Sequence, residues 1–183
     1  MQQLIMRWEN DGQKAKELVV PDGVEIKNWT EIENPLDKWL DIVQYGLTEK
    51  RENEEYYNSC MLSYEHYKKE DTFFIIYNGE EVATITVICN SENKEGYIHM
   101  VATIPQARGK GIGNLMSFLA VKVLKERNMK TAYLTTDDFR LPAIKTYLKS
   151  GLFPDLSTED FKNRWEKINE ILSCENKSRK RNI

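Results

Sequence analysis

The sequence predicts a mixed α/β fold, a mostly antiparallel sheet carrying one βαβ crossover, and three observations predict it. Two β-like runs, Thr72–Tyr77 and Val82–Ile88, meet across Asn78-Gly79-Glu80, and an Asn-Gly pair is a strong tight-turn signal. A later run, Tyr97–Ile104, breaks at Pro105 into a glycine-rich turn that feeds a long helical pattern. The stretch Thr131–Thr136 then reads as a strand again, and strand–helix–strand is how parallel neighbours are joined.

The remaining elements follow in order. Leu4–Trp8 is a short candidate strand, and Val24–Trp29 alternates apolar and polar residues as a strand does. Asn34 before Pro35 marks a helix start, after which Leu36, Trp39, Leu40, Val43 and Leu47 recur at helical spacing. A second helix is expected over Glu54–Lys69, with Tyr57, Met61, Tyr64 and Tyr67 as its apolar stripe. A polar loop, Asn90–Glu95, precedes the strand that enters the glycine turn. The helix expected beyond the turn carries Ile112, Leu115, Met116, Leu119, Val123 and Leu124 on its apolar side. Leu141–Ser150 is a short helix ended by Gly151, and Thr158–Cys174 a last helix with Ser157 and Asp160 as a capping box.

Composition bounds the function classes. At 183 residues the chain suits one domain, taken as 1–183, with 40% hydrophobic and 30% charged residues as in ordinary globular proteins. A net charge of −3 gives no general attraction to nucleic acid or anionic membranes. The basic run from Lys177 to Ile183 reads as a solvated chain end, with a nucleic-acid contact as the alternative. Cys60, Cys89 and Cys174 have neither zinc-ligand nor disulfide spacing, so no metal site is expected, and Cys89 reads as a small core residue. No secretory pattern or membrane-length apolar run is visible, and the expectation is a cytoplasmic protein without a membrane partner.

The chemistry concentrates in Arg108-Gly109-Lys110-Gly111-Ile112-Gly113. Glycines let backbone amides approach a ligand closely, and the positive end of the following helix favours a diphosphate. Arg108 and Lys110 add positive charge. The Gly-Lys-Ser/Thr ending of an NTP-binding loop is missing, and Gly-x-Gly-x-Gly after antiparallel strands is not the dinucleotide fingerprint. Taken alone, the glycines fit an anion cradle or a flexible turn at a helix start.

The segment Val101-Ala102-Thr103-Ile104-Pro105-Gln106-Ala107-Arg108-Gly109-Lys110-Gly111-Ile112-Gly113 resembles the coenzyme A loop of the GNAT N-acetyltransferase superfamily. Ala143-Ile144-Lys145-Thr146-Tyr147-Leu148-Lys149-Ser150-Gly151-Leu152-Phe153 is similar to that family's second signature, a short helix with a tyrosine and a glycine–hydrophobic pair. The two signatures together span residues 72–155. The resemblance implies a GNAT-like fold, a splayed mixed sheet flanked by helices, with acceptor-side elements in 1–70 and a C-terminal helix and tail in 156–183.

It further implies acetyl-CoA as acyl donor and direct attack by an amine acceptor, with no covalent enzyme intermediate. Val101, Ala102 and Thr103 would pair with the pantetheine arm and stabilise the oxyanion, and Gly109 to Asn114 would hold the pyrophosphate, with Arg108 and Lys110 beside it. Tyr147 matches the family's general acid for the departing thiolate. Two departures stand out. Arg140 replaces an asparagine that touches the cofactor arm in many relatives, and Thr135 stands where a glutamate base would be. The base is left open among His99, Glu65, His66, Asp137, Asp138 and a water. His99, two residues before Val101, is expected on the same face of its strand. Residues 29–69 are expected to line the acceptor side with Glu54, Glu55, Glu65, Tyr56, Tyr57 and Tyr64, which suit a cationic amine. A non-catalytic coenzyme A-binding module and a homodimer remain open alternatives.

Overall fold

The structure is a computed structural model that describes the backbone of residues 2–15 and 17–181, with side chains up to Cys174. A seven-stranded sheet runs in the order β2-β3-β4-β5-β6-β1-β7. Its strands are β1 (Leu4–Glu9), β2 (Val24–Asn28), β3 (Thr72–Tyr77), β4 (Glu80–Asn90), β5 (Glu95–Thr103), β6 (Thr131–Thr136) and β7 (Phe153–Pro154). The helices are α1 (Pro35–Val43), α2 (Glu54–Tyr57), α3 (Ile112–Glu126), α4 (Leu141–Lys149) and α5 (Glu159–Arg181). The predicted hairpin joins β3 to β4 with Asn78 at φ 52° and Gly79 at φ 87°, the left-handed pair that a tight turn needs. Among the described strands only β5 and β6 pair in parallel, and α3 is the crossover between them.

Alternation along β3 divides the interior. Ile75 joins a core built largely from β4, α3, α4, α5 and β1, whereas Phe74 and Ile76 join a second core with Trp29, Trp39, Val43, Tyr57 and Met61. The N-terminal strand inserts between β6 and β7, a placement that element order alone does not specify. Leu4, Met6 and Trp8 on its buried side share the first core with Phe161 and Trp165 of α5.

Several expectations need correction. The second helix stops well short of Lys69: α2 passes into one π-helical stretch, Asn58–Leu62, and the chain then bends. Tertiary hydrogen bonds outweigh helix propensity here. Tyr67 Oη lies 3.1 Å from Tyr57 Oη and 3.2 Å from Thr72 Oγ1, which lies 2.9 Å from Thr86 Oγ1. A straight helix would carry Tyr67 away from this hydroxyl chain. Trp29 leaves β2 for a 3-10 turn capped by Asn28, and Leu47 lies beyond the end of α1. At α5 the cap is Thr158, whose Oγ1 accepts from Phe161 N at 3.1 Å, while Asp160 serves Arg164 instead of the helix end. The basic residues from Lys177 onward lie outside the described side chains.

Candidate active site

The parallel pair is brief. β5 and β6 are in register only at Glu95–Thr131, Gly96–Ala132 and Tyr97–Tyr133, and beyond Tyr97 and Tyr133 the strands part. The pairing is tight at its root because Gly96 has no side chain: a Cβ there would fall 2.1 Å from Leu124 Cδ2. Past the root, β5 carries an irregularity that the sequence did not announce. Met100 has φ 49°, and the β4 register slips so that Thr86 faces His99 while Thr84 faces Ala102. The extra residue reverses the alternation.

As a result His99 and Val101 lie on opposite faces, against expectation. Val101 packs on the first core, whereas His99 reaches Cys60 on the side of the second. The bulge also places Met100 and Ala102 together in the second core, against residues of α1 and α2. The stretch after it, Val101-Ala102-Thr103, keeps its pairing with β4 but is unpaired on the β6 side, and it leads through a 3-10 turn at Pro105–Ala107 into the glycine turn.

In that turn Gly109 (φ 78°) and Gly111 (φ 82°) are left-handed, which explains glycine at both positions, and a Cβ on either would meet open space. Gly113 is helical, and its Cβ would make an ordinary 3.5 Å contact with Thr146. Gly111 caps α3 without a side chain. The first-turn amides of Ile112, Gly113 and Asn114 therefore have no side-chain cap, and helix geometry gives them no intrahelical acceptor. Asn114 Oδ1 is also buried without a hydrogen-bond partner among the described residues.

The basic side chains around the turn have partners of their own. Arg108 donates from Nε to Thr103 O at 3.2 Å and from Nη2 to Tyr45 O at 3.1 Å, tying the turn to the chain after α1. Lys110 Nζ sits 4.4 Å over the Tyr77 ring. Arg140, at the start of α4, pairs with Asp137 at 2.8 Å.

Tyr147 is 7% exposed in the first core. Burial pushes its phenol up to about 12, a rise that the Arg140 charge moderates, so it is fully protonated at neutral pH. A protonated phenol is a donor, the state required of an acid.

The base candidates separate. Asp138 is held by the Arg164 guanidinium, which keeps its carboxyl below the usual range and makes it a weaker base. Asp137 accepts from both Arg140 and Gln3. His99 is half-buried, and desolvation lowers its pKa despite the hydrogen bond to Cys60. Its Nε2 lies 2.9 Å from Cys60 O. A carbonyl only accepts, so Nε2 carries the hydrogen in the neutral ring and Nδ1 carries the lone pair.

On that same face His99 stacks on Tyr97 at 4.8 Å, and Tyr97 stacks on Tyr133 at 4.6 Å. Tyr64 lies over both, 5.4 Å from Tyr97 and 5.0 Å from His99. This aromatic array was only partly visible in the sequence. The sequence points to Tyr64 and Glu65 near the acceptor, whereas Tyr97 and Tyr133 lie within ordinary strand patterns, and the signal for them is their position flanking the parallel crossover. Tyr57, which the sequence offers both to the apolar stripe and to the acceptor side, is a core residue stacked 5.0 Å from Trp29.

The geometry is therefore that of a sheet split at one parallel pair, with an uncapped helix start on one branch and a buried tyrosine beyond the other. The chain matches the Acetyltransferase (GNAT) family over residues 29–152 and belongs to that family. A GCN5-related N-acetyltransferase from Sphaerobacter thermophilus has the same fold at a TM-score of 0.67 and 20% identity, over 83% of this chain and 48% of that one. The Escherichia coli ribosomal-protein-S18-alanine N-acetyltransferase superposes with a TM-score of 0.56 and 20% identity, over 70% and 76% of the two chains. N-acetylglutamate synthase from Neisseria gonorrhoeae, solved with coenzyme A and N-acetyl-glutamate, gives 0.51 and 15% over 67% and 27%. At these identities the likeness is one of fold. The chain spans about half the length of the Sphaerobacter protein. No curated protein matches its sequence. Among the described residues no helix is long and apolar enough to cross a membrane.

Proposed function

We propose that the chain is an acetyl-CoA-dependent N-acetyltransferase acting by direct attack of an amine on the thioester. The observation that carries this reading is the splay itself, which opens between the uncapped start of α3 and the protonated, buried Tyr147. The free edge at Val101, Ala102 and Thr103 suits a pantetheine arm as an added strand. The amides from Gly109 to Asn114 suit a pyrophosphate, and Asn114 Oδ1 offers an open acceptor to a ligand donor. Lys110 and Arg108 contribute charge at the rim. Arg140 reaches the cofactor arm only by giving up Asp137.

In the step proposed, the amine nitrogen forms a bond to the acetyl carbon and the carbon–sulfur bond breaks. The Tyr147 hydroxyl donates its proton to the departing thiolate, and His99 Nδ1 or a water takes the proton from nitrogen. Backbone amides of the bulged strand stabilise the oxyanion. In this reading, residues 72–155 handle the donor and residues 1–70 much of the acceptor.

A second reading, a non-catalytic coenzyme A-binding module, draws on Thr135 in place of a carboxylate and on Arg140 locked to Asp137. The test is release of free thiol from acetyl-CoA with a panel of amines, alongside calorimetric titration of coenzyme A. Amine-dependent thiol release establishes the transferase. Tight coenzyme A binding with no turnover across the panel favours the module, and absence of binding defeats both.

A further inference from the structure

The tyrosines beneath the splay border a small open cleft of about 150 Å³ lined in part by Tyr64, Glu65, Glu95, Tyr97 and Tyr133. It lies on the face of β5 that carries His99, directly below the point where the strands part. Three aromatic rings converge there, with Tyr97 between the other two. Glu95 stands close enough to Tyr133 that its charge, after burial, helps to push that phenol up. Neither Glu65 nor Glu95 takes part in an ion pair among the described residues. The volume is several times what one ordered water needs, yet well under the ~300 Å³ at which drug-sized pockets begin.

We infer that this cleft is a cation subsite of the acceptor site, taking the distal ammonium or guanidinium group of a small aliphatic amine whose other nitrogen is acetylated. The inference rests on the proposed acetyl transfer only for the fate of that second nitrogen. Tyr64 and Tyr133 supply aromatic faces, Tyr97 being stacked between His99 and Tyr133, the two carboxylates supply charge, and the cleft's position below the splay lets a short alkyl chain rise toward the thioester. An amine with an apolar tail gains none of these terms and leaves both carboxylates facing a methyl group. A neutral hydroxyl at the distal end is likewise a poor match.

The test uses the full chain and two probes of equal length, 1,4-diaminobutane and butylamine. Calorimetry without coenzyme A should show the diamine binding about tenfold more tightly, with the preference weakening as salt is raised. Glu95→Gln and, separately, Tyr133→Leu should each cut the preference several-fold. Two variants are used because Tyr133→Leu removes a ring stacked within the sheet, and circular dichroism reports whether it folds. Equal affinity for the two probes, or a preference that survives both substitutions, overturns the subsite. The acetyl-transfer reading is probed independently by coenzyme A titration and thiol release, so a working cleft on an inactive chain and an active chain without a cation preference are distinct outcomes.

Discussion

In the proposed reading, the donor and acceptor sides of this molecule are built from different materials. The proposed donor side is mainly backbone: two left-handed glycines, an uncapped helix start and a strand edge that β6 no longer pairs beyond Tyr97. The acceptor side is mainly side chain: stacked tyrosines, a histidine fixed through one nitrogen and carboxylates along a cleft. Backbone recognition serves a ligand part that never changes, because amides present the same donors whatever side chains flank them. Side-chain recognition is the adjustable half. The comparison teaches where chemistry and specificity should be separable by mutation.

The strongest way to break that separation is Tyr147→Phe, which removes one oxygen from the side chain proposed to deliver a proton on the donor side. If Tyr147 is the acid, kcat should fall about 10²–10⁴-fold, or about 3–5 kcal/mol, with coenzyme A affinity nearly unchanged. Steady-state kinetics and calorimetry on the same preparation read both. An unaltered kcat removes the acid role from Tyr147.

Next in size is Gly96→Ala at the root of the splay. The added Cβ falls 2.1 Å from Leu124 Cδ2 and 3.3 Å from Ala132 Cβ, so either Leu124 turns or β5 and β6 separate earlier. Overpacking of this kind costs about 1–3 kcal/mol, read as a lower denaturant midpoint. A stability equal to wild type would show that Leu124 rotates freely and that the glycine is not what sets the root.

The two materials also explain what was legible in the sequence. Local signals were read correctly: the Asn78-Gly79 hairpin, the α3 stripe and the Pro105 break all appear as elements. Features set by distant partners were not. Nothing near Met100 announces a bulge, because its cause is the fit of β4 to β5 and of the second core to Met100 and Ala102. The early end of α2 depends on Thr72 and Thr86, residues far along the chain. β1 enters between β6 and β7 for lack of any local instruction to do otherwise, its place settled by the cores it completes. On the proposed donor side the residues lie in one contiguous loop and one short helix that the sequence displays directly, whereas on the acceptor side it displays Tyr64, Glu65 and His99 without the ladder that joins them.

Within the glycine turn the separation can be sharpened by pairing Gly111→Ala with Gly113→Ala. At φ 82° an alanine is strained by about 1–2 kcal/mol although nothing crowds it, so the first variant should lose stability and about tenfold in coenzyme A affinity. At the helical Gly113 an alanine should gain about 0.5–1 kcal/mol of stability. Any affinity lost there reports close approach of the ligand to the backbone. Unchanged affinity in both variants would place the diphosphate elsewhere.

The smallest effect tests the acceptor side through His99. Burial holds its folded pKa below the ordinary value near ~6.5, so the native ring stays neutral at a pH where the unfolded ring takes up a proton. The associated stability is complete above ~6.5 and declines as pH falls through that value toward the folded pKa, with a slope of at most about 1.4 kcal/mol per pH unit. His99→Gln has no such titration, yet its amide can still donate to Cys60 O, so the variant should lose this slope while other groups titrate as before. Denaturant midpoints of both proteins at pH 7, 6 and 5 (values set by the ~6.5 reference) give the difference directly. Parallel slopes would mean that His99 protonates as easily folded as unfolded, contrary to its buried setting. The same pair of proteins decides the base: if Nδ1 takes the amine proton, the wild-type acid limb of kcat/KM lies below ~6.5 and disappears in the glutamine variant. If the limb persists there, the proton goes to water, and His99 is left as the end of the aromatic stack.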